Sequence, residues 1–348
     1  MLKYVLLSLV LLFSCAVEKS AEQGVEFVDL TFEKTLQKAI ETGKPVLLNI
    51  HAEWCSPCKR LYKQVFLDGS SGAYINEATV PLRVDGEKGE GPELMKTFNV
   101  RGYPTTLLLT SKGEEIDRIV GYSGDKAKFL QKVKEYVEGK NTVADLKSRV
   151  QDNPDNAELY IKLARKYNER GNDEKAAVHF ERVVELGPAN RDLVEEAEFQ
   201  LALHNMRETG DTQPIETIIQ QSDDQQLREQ AWYYLIRYYD RNDKPDKLFQ
   251  AYEKALDQMP ENTTMMNSYA WYVFQNEVEK KYNRGIEVAQ KAVELDPKAH
   301  QIWDTLGQLQ FAAGNTEGAI KAMSRAAELN PEEESYKENL KAYKEKKM

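Results

Sequence analysis

The stretch Ala52-Glu53-Trp54-Cys55-Ser56-Pro57-Cys58-Lys59 decides how this chain is read. It ends an apolar run of strand length, Pro45–Ala52 (PVLLNIHA), and opens a helical pattern with Leu61 and Val65 on one face. Pro57 suits the first turn of a helix, where its missing N–H costs no hydrogen bond. The two cysteines therefore sit at a helix start, one turn apart. A cysteine reacts as its thiolate, and a free thiol has a pKa of about 8.5. Unpaired backbone N–H groups at a helix N-terminus favour the anion at Cys55. Cys55 is then the nucleophile toward a disulfide and Cys58 the resolving thiol, an exchange that requires no cofactor.

The rest of the cysteine inventory agrees. The chain has three cysteines, and the third, Cys15, lies just after an apolar N-terminal run. A single pair does not staple a small core, so the pair is there for its chemistry. The competing use of a C-x-x-C is zinc, but a closed zinc site needs two more ligands. The only histidines are His51, His179, His204 and His300, and the last three lie far away in a different kind of sequence. No metal is expected.

Around this site, residues 25–140 read as alternating strands and helices. Glu26–Leu30 is a short alternating run. Thr31 caps a helix with Leu36, Ala39 and Ile40 on its apolar face, and Gly43 suits its left-handed end. Val80–Asp85, Thr105–Thr110 and Glu115–Tyr122 read as strands, Glu93–Asn99 as a short helix, and 126–138 as a closing amphipathic helix. The Gly-Ser stretch Asp68–Gly72 reads as a loop, since it lacks the Lys and Ser/Thr of a phosphate cradle. Near-continuous apolar strands imply a sheet covered on both faces.

The active-site octapeptide after an apolar strand resembles that of thioredoxin, and the element order over 25–140 follows the same family. A second motif, Arg101-Gly102-Tyr103-Pro104-Thr105 before the strand TTLLLT, fits it too. The resemblance implies a mixed central sheet flanked by helices. It also implies a cis-Pro104 facing the cysteine pair, with the Tyr103 backbone pairing with a substrate strand, and it places Trp54 and Pro57 in the site. Two departures stand out. Thioredoxins carry a buried Asp where this chain has Asn49, and an amide cannot titrate; Glu53, Lys59 or His51, which shares a strand face with Asn49, are the remaining proton partners. Ser56 stands where thioredoxin has Gly, and the family spans about −270 to −120 mV, a range on which one Ser does not place the protein.

From about residue 150 the strands stop and a helical repeat begins. Pro331 follows Pro297 by 34 residues, Pro188 follows Pro154 by 34, and Pro260 lies 37 before Pro297. In the unit ending at Pro188, Tyr160, Leu163, Ala164, Tyr167, Gly171, Ala176 and Phe180 resemble the tetratricopeptide (TPR) pattern. Trp303, Leu306, Gly307, Gly314, Ala319 and Ala326 do so before Pro331, and Trp232, Leu235, Tyr239 and Ala255 before Pro260. The unit ending at Pro297 has Trp271, Gly285, Ala289 and Ala292, with about three extra residues in its turn. Small residues at helix crossings and large ones between pairs explain the pattern. Tyr160, Trp232, Trp271 and Trp303 are read as core. The expected organisation is a TPR solenoid over 155–335, with a degenerate repeat at 191–228, a linker at 141–154, and a capping helix at 336–348.

The N-terminus reads as an export signal. Lys3 precedes the nine-residue apolar run Val5–Phe13, far short of the ~20 residues that span a bilayer. Leu12-Phe13-Ser14-Cys15 resembles a bacterial lipobox, so residues 1–14 are taken as a signal, Cys15 as the lipidated residue and 15–24 as a linker. Cleavage after Ala16 is the other reading, and it discards Cys15. At −10 the net charge argues against nucleic acid as the main partner. The sequence thus points to an exported thiol–disulfide oxidoreductase in the periplasm, held by lipid to the outer rather than the inner membrane. It would reduce or relay disulfides in client proteins, take electrons from a membrane donor, and bind a protein partner or peptide in the TPR groove. A TPR scaffold or holding chaperone with a passive thioredoxin module, and a disulfide isomerase, are the alternatives.

Overall fold

The computed structural model describes residues 23–347, so the signal, the lipobox and Cys15 lie outside the described residues. The first part runs α1 (Phe32–Thr42), β1 (Val46–His51), α2 (Ser56–Leu61), α3 (Gly69–Ala78), β2 (Val80–Asp85), α4 (Gly91–Thr97), β3 (Thr105–Leu109), β4 (Glu115–Val120) and α5 (Lys126–Val137). A π-helical turn, Tyr62–Phe66, continues α2. The sheet order is β2-β1-β3-β4, with β1 and β2 parallel and the other pairs antiparallel. The parallel pair needs a crossover, which α2 and α3 supply.

The apolar strands are buried on both faces. Val46, Leu48, Ile50, Leu107 and Leu109 pack with Ala39 of α1 and Leu94 of α4. On the opposite face Leu47 and Leu108 pack with Leu61, Val65, Phe66, Phe129 and Val133. Because β1 alternates, Asn49 and His51 share the second face with Leu47, beneath α2.

Two local readings change. The run Glu26–Leu30 forms no strand; this N-terminal segment is pinned by Val25 N–H to the Phe66 carbonyl at 2.7 Å and Val28 N–H to the Pro81 carbonyl at 2.9 Å. Asp68–Gly72 is the start of α3 rather than a loop: the Asp68 carboxylate accepts from the Ser71 N–H at 2.9 Å and caps the helix. Gly72 fits because a Cβ there would lie 2.4 Å from the Gln23 carbonyl oxygen.

The remainder is helical: α6 (Val143–Asp152), α7 (Ala157–Glu169), α8 (Asp173–Leu186), α9 (Arg191–Thr209), α10 (Gln213–Gln221), α11 (Gln225–Arg241), α12 (Pro245–Gln258), α13 (Thr263–Gln275), α14 (Tyr282–Leu295), α15 (His300–Ala312), α16 (Thr316–Leu329) and α17 (Glu334–Lys347). The chain divides into two compact units between His204 and Asn205. The first unit holds the α/β domain together with α6 to α8 and most of α9. Residues 141–154, read as a linker, contain α6, whose Leu146 is fully buried.

In the first unit, Leu163, Ala164 and Tyr167 of α7 pack against Ala176 and Phe180 of α8. In the second unit, Trp232, Leu235 and Tyr239 of α11, and Ala289 and Ala292 of α14, are buried as the repeat requires. The extra residues before α14 form the 3-10 turn Glu279–Lys281. Trp271 departs from its reading. It is 38% exposed, while Tyr269, two positions earlier and so on the opposite side of α13, is fully buried. The degenerate stretch 191–228 holds a long helix and a short one, α9 and α10, of unequal length.

Within the first unit, edge strand β4 is covered by α6 and α7. Asp117 on β4 is fully buried. Its carboxylate accepts from the Arg118 N–H at 2.8 Å, the Val143 N–H at 3.0 Å, Lys166 Nζ at 2.8 Å and Arg170 Nη2 at 3.0 Å. Both oxygens are satisfied, as a buried charge requires. Arg170 also reaches Glu115 at 2.8 Å, and Lys166 Nζ lies 3.1 Å from the Tyr136 hydroxyl. Burial pushes the Lys166 ammonium below its usual pKa range, opposed by Asp117.

Candidate active site

Cys55 stands just before α2 with extended backbone angles, φ −71° and ψ 107°, which makes it the N-cap residue. Its Sγ accepts from the Cys58 N–H at 3.1 Å. The sulfur thus occupies the place a capping oxygen would take, where the helix-end N–H groups favour negative charge. Cys55 and Cys58 are joined as a disulfide with Cα atoms 5.3 Å apart. Both are buried, in a small cluster with Ala52 and Tyr103. Pro57 lies in the first turn of α2, as its spacing predicts.

The second motif meets the first. The Tyr103–Pro104 bond is cis, and Pro104 is buried. The Tyr103 ring lies edge-on to Trp54 at 5.9 Å. Trp54 is 67% exposed, and its indole Nε1 donates to Glu87 at 2.9 Å. The Tyr103 ring also rests on Gly86, where a Cβ would sit 2.6 Å from its atoms. The loop after β2 therefore forms one wall of the site. Sequence reasoning does not single out Gly86 and Glu87; the signal for them is a glycine-rich, charged run, Asp85-Gly86-Glu87-Lys88-Gly89-Glu90-Gly91, directly after a strand.

The candidate proton partners separate. Glu53 is exposed and bonded to Lys88 at 2.6 Å, and Lys59 is exposed. Asn49 is buried, and its Nδ2 donates to the Thr106 hydroxyl at 2.9 Å. The buried amide is thus held by β3. His51 is half-buried, and its Nδ1 is a buried atom with no hydrogen-bond partner among the described residues. Burial, and then the neighbouring Arg83 charge, push its pKa below the usual histidine value. Arg83 pairs with Asn49 across the parallel ladder, and its guanidinium carbon lies 4.7 Å over the Tyr62 ring. Burial lowers its pKa as well. The sequence carried a signal for Arg83: it is the lone cation inside the apolar strand Val80–Asp85.

Two other histidines serve packing. His179 stacks on Tyr167 at 5.4 Å, and His300 Nδ1 lies 2.8 Å from the Tyr336 hydroxyl. Among the described residues, no group of three or more His, Cys, Asp or Glu is placed to hold a metal ion, and no helix is long and apolar enough to cross a membrane.

Comparison with known proteins finds two kinds of similarity along the chain. Residues 32–136 are a thioredoxin-like domain, and residues 300–333 a tetratricopeptide repeat. The chain is 33% identical over 124 residues to the thiol:disulfide interchange protein DsbD of Yersinia pestis (strain Pestoides F), covering 34% of this chain and 21% of that protein. It is 33% identical over 113 residues to protein disulfide-isomerase of Ricinus communis, covering 32% of this chain and 21% of that one. The chain thus spans about a fifth of the length of these curated relatives. A solution structure of a candidate disulphide-isomerase from Bacteroides thetaiotaomicron is 42% identical, covers 33% of this chain and 95% of that one, and has a TM-score of 0.31.

Proposed function

We propose that this protein is a thiol–disulfide oxidoreductase that reduces or relays disulfides in client proteins. The observation that carries the reading is Cys55 as the N-cap of α2, its sulfur bonded to the Cys58 N–H, beside the cis Tyr103–Pro104 bond. In the reduced protein the Cys55 thiolate attacks one sulfur of a substrate disulfide. A Cys55–substrate bond forms, the substrate S–S bond breaks, and the second substrate sulfur leaves as a thiolate and takes a proton. Cys58 loses its proton and attacks Cys55 Sγ. This forms the Cys55–Cys58 disulfide and breaks the Cys55–substrate bond; the first substrate sulfur leaves as a thiolate and takes a proton, so that two electrons have passed to the substrate.

Several groups around the pair serve this cycle. The Tyr103 backbone is the edge against which a substrate strand lies, and exposed Trp54 forms the rim. His51, whose buried Nδ1 has no hydrogen-bond partner among the described residues, is the side chain on the α2 face of β1 that can relay a proton. Asn49 orients a water for that step, while Glu53 and Lys59 stand exposed to solvent. The names of the relatives fit either reduction or isomerisation.

Export, lipidation at Cys15, an outer-membrane tether and a membrane dithiol donor that recharges the pair complete the proposal. The helical repeats bind the client or a partner on the same chain as the cysteine pair. Exposed Tyr233 and Tyr234 on α11 and Trp271 on α13 suit that binding role, which also keeps a scaffold reading open. The deciding experiment is insulin reduction followed by trapping. The wild type should reduce insulin, Cys55→Ser should lose all activity, and Cys58→Ser should accumulate a mixed disulfide on Cys55. Insulin left intact by the wild type would leave the scaffold reading, and refolding of scrambled ribonuclease without net reduction would favour isomerisation.

A further inference from the structure

The loop that carries the cis bond is held from outside the α/β domain. Arg101, two residues before Tyr103, reaches the turn between α7 and α8. Its Nη2 donates to the Gly171 carbonyl at 2.9 Å, and Nη1 lies 3.5 Å from Asp173. Asn99 donates from Nδ2 to the Arg170 carbonyl at 2.8 Å. The fit is steric as well as polar. Gly171 has φ +65°, and a Cβ on it would lie 2.1 Å from the Arg101 guanidinium carbon. The left-handed φ favours glycine, and any Cβ there would push the guanidinium out of this position. The turn itself is anchored, because Arg170 is tied to the buried Asp117 of β4. A fixed helical turn therefore grips the segment 99–101 that leads into the cis bond.

We propose that this turn is a strut for the cis-proline loop, and that Arg101 is a positioning residue for substrate. It acts through Gly102 and Tyr103, setting where the Tyr103 backbone stands relative to the cysteine pair. It touches neither sulfur, so it governs how a protein substrate docks rather than how fast the sulfurs exchange. The first helical pair thereby becomes part of the substrate site, in addition to any role in holding partners. This inference rests on the oxidoreductase reading above.

The test uses the full chain carrying Arg101→Ala, Arg101→Lys and Gly171→Ala. Small misplacements of bound groups carry large kinetic penalties, so Arg101→Ala should raise KM for insulin about tenfold. Its kcat should stay within about twofold, as should its rate with a small aromatic disulfide that needs no strand docking. Arg101→Lys, which can still donate to the Gly171 carbonyl, should recover part of the loss. Amide hydrogen exchange over residues 101–106 should quicken in Arg101→Ala and Gly171→Ala while exchange in β1 stays slow. Unchanged KM in Arg101→Ala overturns the proposal, and so does unchanged exchange over 101–106. A loss of rate equal for insulin and the small disulfide also overturns it, since the effect would then lie at the sulfurs. If the wild type reduces nothing, the oxidoreductase reading fails on its own, and the exchange measurement still decides whether the strut exists. If Gly171→Ala unfolds the first repeat, the exchange and KM of Arg101→Ala decide by themselves.

Discussion

Two helix contacts of this protein are made by opposite means. In the first unit, α7 docks on edge strand β4 through charge: Lys166 and Arg170 converge on the buried Asp117. In the second unit, α15 and α16 meet through small apolar residues. Gly307 faces the α16 backbone, and Ala319, Ala322 and Ala326 are buried. The difference teaches how a repeat is attached to something other than a repeat. The two helices of one TPR pair fit each other because a small residue of one lets the backbone of the other approach closely. Strand β4 offers a buried carboxylate instead, and the elements that cover it must supply the groups that bond to it. The cost is a buried carboxylate that depends on every partner, whereas the apolar contact depends only on shape.

Substitutions can break this contrast. The largest effect is expected at the charged junction. Asp117→Ala leaves Lys166 buried without its counter-ion and should lower stability by about 3–5 kcal/mol in urea unfolding. Replacing both partners, Asp117→Leu with Lys166→Met, should recover most of that loss, with Arg170 still bonded to Glu115. If the single change is harmless, the junction is not held by charge.

The apolar contact should respond to volume. A Cβ on Gly307 would lie 3.3 Å from the Met323 nitrogen and 3.4 Å from the Ala319 oxygen. Gly307→Leu should therefore cost about 1–3 kcal/mol by overpacking. Gly307→Ala should change stability by less than about 1 kcal/mol, since the gain in helix propensity offsets the tight fit. Equal effects of Ala and Leu, read from thermal unfolding, would mean that shape does not govern this crossing.

The smallest effect is expected where charge is solvated. Asp68 caps α3 and bonds Lys126 of α5 at 2.9 Å. Hydrogen bonds from Ser70, Lys126 and Ser71 hold its pKa well below the usual carboxylate range. A depressed carboxylate stabilises the fold above its unfolded pKa and loses that contribution as pH falls toward the folded one. Asp68→Ala should thus cost about 1 kcal/mol at pH 7. The gap between variant and parent should narrow as pH drops below 3.8, and a gap that widens in acid would contradict the sign.

Much of the site was legible in the sequence, because local rules decided it. Trp54 to Cys58 need only a strand end and a helix start, and Pro57 marks that start. Thr31 and Gly43 gave both ends of α1 for the same reason. The family resemblance supplied the cis bond at Pro104, which spacing alone did not. What was misread was one helix cap and one helical phase. Asp68–Gly72 reads as a loop until the Gln23 backbone is seen packed on Gly72. Trp271 reads as core by its type, but the helical phase set by Tyr269 turns it outward.

By itself the sequence determined the α/β domain, a cysteine pair at a helix start, the repeat and its small-residue crossings, since each follows from spacing along the chain. Only the tertiary structure decided that 141–154 is a docked helix and that Asp117 is the anchor between domain and repeat. The tie between Arg101 and the turn at Gly171 also emerged only there. The reason is physical. A period of two or of 3.6 is written into neighbouring residues, but a buried charge is paired by whatever folding brings to it, here from 26 residues away for Val143 and 53 for Arg170.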